Sequence, residues 1–121
     1  MILIFFGPPG AGKGTQAKFV SKALNIVHLS TGDILRDQLK KESKLSLELK
    51  KIIESGQLVS DKILNQTVSE RITQKDCKKG FIFDGYPRTY SQALFIDDYF
   101  VKNNLSIKYQ SLLNFLISSQ I

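Results

Sequence analysis

The chain has 121 residues, 42% of them hydrophobic and 23% charged, and a net charge of +6 from 14 lysines and three arginines against 11 acidic residues. This size and composition predict one compact domain with a hydrophobic core and exclude a disordered chain. The positive charge suits anionic ligands, whereas the scattered lysines, with no aromatic side chains between them, argue against nucleic acid as a partner.

The first predicted element is a strand over residues 2–6. These residues are continuously apolar, as in a parallel strand covered on both faces. The run stops at Gly7 and has no positively charged leader, so it is too short for the core of a secretory signal. No apolar run reaches the ~20 residues that a membrane-spanning helix needs, and we expect a cytoplasmic protein that binds no membrane.

A glycine-rich loop follows this strand. Residues 7–13 read Gly-Pro-Pro-Gly-Ala-Gly-Lys and match the phosphate-binding pattern G-x-x-x-x-G-K. Glycines allow consecutive backbone N–H groups to surround an anion, and Lys13 would add a charge for the terminal phosphates. Gly14 stands where most such loops carry a Ser or Thr for magnesium, and Thr15 comes one position later. This departure argues against a generic GTPase or ATPase.

The next elements are a helix and a short strand. The helix is predicted from about residue 13 to 24, and its N-terminus adds the positive end of its dipole to the loop. Its buried face would hold Ala17, Val20 and Leu24. The strand is predicted over residues 27–29. It contains His28, the only histidine, which we interpret as a packed strand residue.

The middle of the chain reads as helical but weakly apolar. The first helical stretch is predicted from residue 31 to about 54, with an interruption near Ser43 and Ser46 and an end at Gly56. Ser60 is predicted as the N-cap of the next helix, with Asp61 in its first turn. Its buried face would hold three residues: Leu64, Val68 and Ile72. Arg71 lies in this helix next to Glu70, and we predict it at the surface.

The last part of the chain returns to the strand–helix alternation. Strands are predicted at residues 81–83 and 112–117, with a helix from about 90 to 101 between them. The buried face of this helix would hold Ala93, Ile96 and Phe100. Strands that alternate with helices predict an α/β fold with a parallel sheet and right-handed crossovers. Ligands bind such sheets at the carboxyl ends of the strands, where Gly7 and Asp84 both fall.

Cys77 is the only cysteine. A single cysteine within the chain forms no internal disulfide and supports no cysteine-cluster zinc site. We interpret it as a small, partly buried residue near a helix end.

Three blocks of sequence resemble the adenylate kinases. The first is Gly-Lys-Gly-Thr-Gln at residues 12–16, the form that the phosphate loop takes in that family. The second, Ser-Thr-Gly-Asp-Ile-Leu-Arg at 30–36, resembles the opening of the acceptor site. The third, Asp-Gly-Tyr-Pro-Arg-Thr at 84–89 followed by Gln92 and Ala93, resembles the second family signature. The match extends from residue 1 to about residue 100.

The resemblance implies a P-loop NTPase-type parallel sheet flanked by helices, formed by residues 1–29 and 60–121. Residues 30–59 would form an inserted, helical AMP-binding subdomain. The implied reaction is the reversible phosphoryl transfer ATP + AMP = 2 ADP, with Mg²⁺ arriving together with ATP. The full-length form would be a monomer.

The resemblance also implies a role for each matching residue. Lys13 and Arg88 would be catalytic, and Asp33 and Asp84 would hold magnesium through water. The ATP phosphates would contact Gly7, Gly10, Ala11, Gly12, Lys13, Gly14 and Thr15. AMP would contact Thr31, Arg36, Ile53, Gln57, Val59, Gly85, Arg88 and Gln92. Arg36 and Arg88 would grip its phosphate, because guanidinium groups bind phosphate oxygens bidentately.

Adenylate kinases are longer than 121 residues, and the resemblance implies a lid, with further arginines, beyond the last predicted strand. We therefore expect the chain as printed to bind phosphate and AMP but to transfer the phosphoryl group slowly or not at all. Two alternatives stay open. One is a UMP/CMP kinase, which Thr31 and Thr89 disfavour, and the other is a non-catalytic nucleotide-binding remnant.

Overall fold

The computed structural model describes residues 1–6, 12–105 and 107–111. Within these ranges the protein forms parallel strands separated by helices, as the sequence predicts for an α/β fold. None of the helices in these ranges is both long enough and apolar enough to cross a membrane. Residues 7–11 of the predicted phosphate loop and the predicted strand at 112–117 lie outside the described residues.

The strands are β1 (Ile2–Phe6), β2 (Val27–Ser30), β3 (Phe81–Asp84) and β4 (Ile107–Ser111). The helices are α1 (Lys13–Leu24), α2 (Thr31–Leu39), α3 (Lys44–Glu54), α4 (Asp61–Arg71) and α5 (Tyr90–Lys102), with a 3₁₀ turn at Lys75–Cys77. The sheet order is β2-β3-β1-β4, and every neighbouring pair is parallel. Phe5 and Ser30 both pair with Asp84, so three strands end side by side at one edge.

The core lies on both faces of this sheet. All four residues of β3 are buried, which explains its continuously apolar start. On one face, Phe81 and Phe83 pack with residues of α4 and α5 and with Tyr86, whose ring meets Phe83 edge-on at 5.2 Å. On the other face, Phe5 and Ile82 pack against α1. The predicted buried face of α4 is confirmed.

Hydroxyl side chains begin four of the helices. Ser30, Ser43, Ser60 and Thr89 each accept a hydrogen bond from a backbone N–H in the first turn of the helix that follows. Such caps satisfy N–H groups that the helix itself leaves unpaired. The predicted cap at Ser60 is confirmed, and the other three fix where α2, α3 and α5 begin.

The predicted interruption near Ser43 is confirmed, because α2 ends at Leu39 and Ser43 caps α3. Two details of the helix predictions are corrected. Ser46, predicted in the interruption, lies buried inside α3. Leu24, predicted on the buried face of α1, is 44% exposed because the helix ends there and turns away at Asn25.

Helices α2 and α3 pack on each other and on α4. A buried polar network joins the first two: Gln38 Nε2 donates to Ser46 Oγ at 3.1 Å, and Ser46 Oγ donates to the Gln38 carbonyl at 2.7 Å. These helices lie in the segment 30–59 for which the sequence predicts an inserted AMP-binding subdomain. That division stays a prediction.

Candidate active site

The centre of the candidate site is Asp84, at the carboxyl end of β3. It accepts a hydrogen bond from Lys13 Nζ at the start of α1, and its other carboxylate oxygen lies 2.9 Å from His28 Nε2 on β2. Lys13 and Asp84 are only 9% and 8% exposed. Removing a charge from water costs free energy unless an opposite charge lies beside it. Each of these two buried charges therefore depends on the other.

The electrostatics of Asp84 follow from these contacts. Burial alone would raise its pKa, but the hydrogen bonds from Lys13 and His28, together with their charge, lower the pKa below its usual value. The carboxylate therefore stays ionised and compensates the charge of the Lys13 ammonium group.

The interpretation of His28 as a packed strand residue was incomplete. It is partly buried on β2, and it also contacts Asp84. Sequence reasoning missed this contact because it depends on the register that pairs β2 with β3. The one available signal was the alternation of side chains along β2, which puts His28 on the same face of the sheet as Ser30, the residue that pairs with Asp84.

Three of the predicted phosphate-binding residues, Gly7, Gly10 and Ala11, lie outside the described residues. Gly12 is the N-cap of α1 and has a φ of +81°, a left-handed conformation that glycine adopts without steric cost. Lys13, Gly14 and Thr15 form the first turn of α1. The N-terminus of a helix presents unpaired N–H groups and a positive partial charge, which favour an anion there.

Next to this centre, four of the residues predicted to contact AMP come together. Thr31 Oγ1 donates to the Gly85 carbonyl at 3.1 Å, which ties the start of α2 to the end of β3. The Arg88 guanidinium group lies against Gly85, where an added Cβ would stand 2.8 Å from Nη2. Gln92 Oε1 accepts from the backbone N–H of Arg88 at 2.7 Å.

Asp61, at the start of α4, binds two residues next to Arg88 in this site, Thr89 and Gln92. It accepts from Gln92 Nε2 and from Thr89 Oγ1, both at 2.8 Å. Gln92 is buried and uses both ends of its amide within the protein. To read the adenine edge, as predicted, it would have to exchange one of these bonds. The sequence indicated Asp61 only as a first-turn residue of the helix.

Arg36 is an exposed residue of α2. Its guanidinium group donates to Asp33 on the same helix and lies over Gly32, where an added Cβ would stand 3.2 Å from Nη1. Hydrogen bonds from Ser30 and then Arg36 lower the pKa of Asp33, so this carboxylate is ionised as well. Arg36 thus lies over the residue that follows Thr31, and Arg88 lies over Gly85, the partner of Thr31.

The remaining predicted AMP contacts are less closely gathered. Ile53 is 43% exposed on α3, and Gln57 is exposed in the segment after it. Val59 is partly buried and packs against the core. The roles given to these three residues stay predictions.

A sequence model of the adenylate kinase family matches residues 5–121. The chain belongs to this family. The resemblance carried by the three sequence blocks is thereby confirmed.

Individual adenylate kinases are similar over most of this chain. One from Acholeplasma laidlawii is 55% identical over 102 residues, covering 84% of this chain and 47% of that protein. One from Thermotoga petrophila is also 55% identical over 102 residues, covering 84% and 46%. One from Methanocella arvoryzae is 45% identical over 119 residues, covering 98% and 54%. The chain thus spans about half the length of the curated relatives it matches.

The carboxylates of the candidate site are compatible with magnesium held through water. No group of three or more His, Cys, Asp and Glu side chains that could grip a metal directly occurs in the described part of the chain. Asp33 and Asp84 are two ionised carboxylates, and Mg²⁺ keeps several of its waters when carboxylates and phosphates share its coordination.

Two predictions about residues outside the family blocks are also settled. The prediction that Arg71 lies at the surface is wrong: it is 8% exposed and forms a two-pronged pair with Asp76, at 2.8 and 2.7 Å. The surface position was predicted from the adjacent Glu70, which does not indicate that Asp76 is the partner of Arg71. Cys77, in the 3₁₀ turn, is buried rather than partly buried, and burial raises the pKa of its thiol to about 11.

Proposed function

We propose that this protein catalyses the reversible transfer of a phosphoryl group from ATP to AMP, giving two molecules of ADP. The observation that supports it best is the junction at the ends of β2 and β3. There Asp84 pairs with the buried Lys13, the next residue, Gly85, contacts Arg88 and accepts from Thr31, and Arg36 lies over Gly32, the residue after Thr31. Matches to proteins named adenylate kinase support the same reaction.

On the donor side, the loop from Gly7 to Gly12 and the first turn of α1 would bind the ATP phosphates. The contacts would come from Gly7, Gly10, Ala11, Gly12, Lys13, Gly14 and Thr15. Before nucleotide binds, Asp84 compensates the charge of Lys13. A triphosphate carries more negative charge than one carboxylate and would compete for the ammonium group.

On the acceptor side, Arg36 and Arg88 would bind the phosphate of AMP. The Arg36 guanidinium group is held by Asp33, and the Arg88 guanidinium group lies against Gly85 while Gln92 holds the backbone N–H of Arg88. The base would lie against Ile53, Gln57, Val59 and the backbone of Gly85, with Thr31 and Gln92 reading its edge.

The chemistry needs positioning and charge stabilisation rather than a general base. Lys13 and Arg88 would stabilise the charge that spreads over the transferring phosphoryl group, and losing one such donor costs about 10²–10³ in rate. Asp33 and Asp84 would hold the waters of Mg²⁺, and this ion, bound with ATP, neutralises phosphate charge. ATP and AMP are metabolites of the cytoplasm, where we place the reaction.

Calorimetric titration of the protein with AMP, UMP and ATP tests the proposal. Arg88→Met should weaken AMP binding by roughly 10- to 100-fold, the cost of a charge-assisted hydrogen-bond pair, and leave ATP binding nearly unchanged. Lys13→Met should do the reverse. Lys102→Met, which removes an exposed lysine paired with Asp98 on α5, is the matched control for loss of positive charge.

Two results would contradict the proposal. One is tighter binding of UMP than of AMP, which would favour a pyrimidine acceptor. The other is an AMP affinity that is the same in the Arg88→Met and Lys102→Met proteins, because AMP would then respond to overall charge rather than to this site. Formation of ADP from ATP and AMP, followed by ³¹P NMR in the same proteins, reports on the transfer itself.

A further inference from the structure

Among the residues whose burial the structure describes, Arg71 is the most completely enclosed charge that the proposed mechanism does not use. It ends α4, and its Nη1 and Nη2 donate to the two carboxylate oxygens of Asp76 in the 3₁₀ turn. Nη1 also lies 3.5 Å from the sulfur of Cys77. The Asp76 contact raises the pKa of Arg71 further above its already high value. The guanidinium plane is therefore fixed to the core at one end.

The free edge of the same guanidinium group is directed toward helix α2. Its Nε–H is buried, makes no hydrogen bond within the described part of the chain, and lies 3.4 Å from Asp37 Oδ2. A buried N–H without a partner costs free energy. The opposite charges attract across this 3.4 Å contact, which links Asp37 on α2 to the end of α4.

Asp37 directly follows Arg36 on α2. Successive residues point about 100° apart around a helix, so one helix can present Arg36 to the candidate site and Asp37 to Arg71. Hydrogen bonds from Gln38 to Ser43 and Ser46 tie α2 to α3, which lies in the same segment of the chain. The Asp37–Arg71 pair instead ties α2 to α4, across a different face of the helix.

We propose that Arg71 and Asp37 are positioning residues for AMP: their ion pair sets the orientation of α2 and, through it, the place of the Arg36 guanidinium group. The inference rests on the proposed function, in which Arg36 grips the acceptor phosphate. It assigns no contact with nucleotide to Arg71 or Asp37.

The test is Asp37→Asn, measured by calorimetry with AMP and with ATP. This substitution removes a negative charge one residue from an anion-binding arginine, so charge alone would tighten AMP binding. A positioning role predicts the opposite: AMP binding about two- to fivefold weaker, the range expected of an ion pair with one half-exposed partner, and ATP binding unchanged. Asp37→Glu keeps the charge and should restore most of the affinity.

Asp98→Asn on α5 is the matched control. Asp98 forms a 2.9 Å ion pair with Lys102, so the control makes the same substitution and the same charge change away from α2. It should leave both affinities unaltered. Tighter or unchanged AMP binding in Asp37→Asn, or equal weakening in both variants, would overturn the proposal.

Amide hydrogen exchange separates this inference from the proposed function, because it needs no nucleotide. Asp37→Asn should speed the exchange of amides in α2 more than those in α5, whereas Asp98→Asn should not affect α2. If the unaltered protein bound no AMP, the proposed function would fail. If the amides of α2 exchanged at the same rates in the Asp37→Asn and Asp98→Asn proteins, the anchoring role of Arg71 would fail.

Discussion

Gly85 offers a way to move the Arg88 guanidinium group without altering Arg88. Gly85 has a φ of +89°, and a Cβ added there would stand 2.8 Å from Arg88 Nη2. That atom is the end of a flexible side chain, so it can retreat by about 0.6 Å to an ordinary contact distance with little cost to folding. Gly85→Ala should therefore displace Arg88 while leaving the fold intact.

Two effects of the substitution can be separated with Gly56→Ala. Gly56 has a similar φ of +74°, but an added Cβ meets nothing within 4 Å. Left-handed backbone costs an alanine about 1–2 kcal/mol, or roughly 4–8 °C in Tm for a chain of this size, and both variants should lose this amount. The cost of moving Arg88 belongs to Gly85→Ala alone and should appear in binding.

Thermal unfolding and calorimetric titration with AMP measure these two effects. We expect equal Tm losses in the two variants and about tenfold weaker AMP binding in Gly85→Ala only, near the low end of the ~1.5–3 kcal/mol of a charge-assisted hydrogen bond. Equal AMP affinities in the two variants would refute the placement of Arg88 at the acceptor phosphate. A much larger Tm loss in Gly85→Ala would refute the idea that the side chain retreats freely.

Three further predictions concern the interior. Tyr86→Phe should cost about 1–3 kcal/mol in urea unfolding, because it leaves the buried Asn65 carbonyl without the 2.6 Å hydrogen bond from Tyr86; an unchanged midpoint would contradict this. The hydrogen bonds from Arg71 lower the pKa of Asp76, so the stabilisation by this pair is complete above the unfolded pKa and is lost as pH falls through the folded pKa. Asp76→Asn should therefore make the free energy of unfolding fall less steeply at acid pH. An equally steep fall in the variant would contradict this prediction. Burial raises the pKa of Cys77 to about 11, so the free energy of unfolding should decline as pH rises from the pKa of a free thiol, ~8.5, toward 11. A thiol reagent at pH 8 should modify Cys77 slowly until urea unfolds the protein. Rapid labelling of the native protein would contradict this prediction.

The sequence predicted the elements whose local signals agree with their surroundings. Residues 2–6 and 81–83 are short apolar runs, and both form buried parallel strands. Ser60 precedes an acidic first turn, and it caps α4. Position along the chain also placed Asp84 at a strand end, because a buried strand cannot continue through a charged residue and a glycine without a partner for the charge.

Contacts made across the fold could not be predicted in this way. Arg71 is buried because the chain folds Asp76 back onto the end of α4, and nothing within one helical turn of Arg71 announces that partner. The contact of His28 with Asp84 depends on strand register, which the sequence does not give. The use of both ends of the Gln92 amide depends on where α5 and α4 meet.

The central claim is that Lys13 and Arg88 serve one continuous site for two nucleotides. Calorimetric titration with an analogue in which two adenosines are joined through one chain of phosphates, as ATP linked to AMP, tests this claim most directly. We predict one analogue per chain, an affinity greater than that of ATP or AMP alone, and weaker binding in both Lys13→Met and Arg88→Met. Two analogues per chain, or an affinity no greater than that of AMP, would contradict the account.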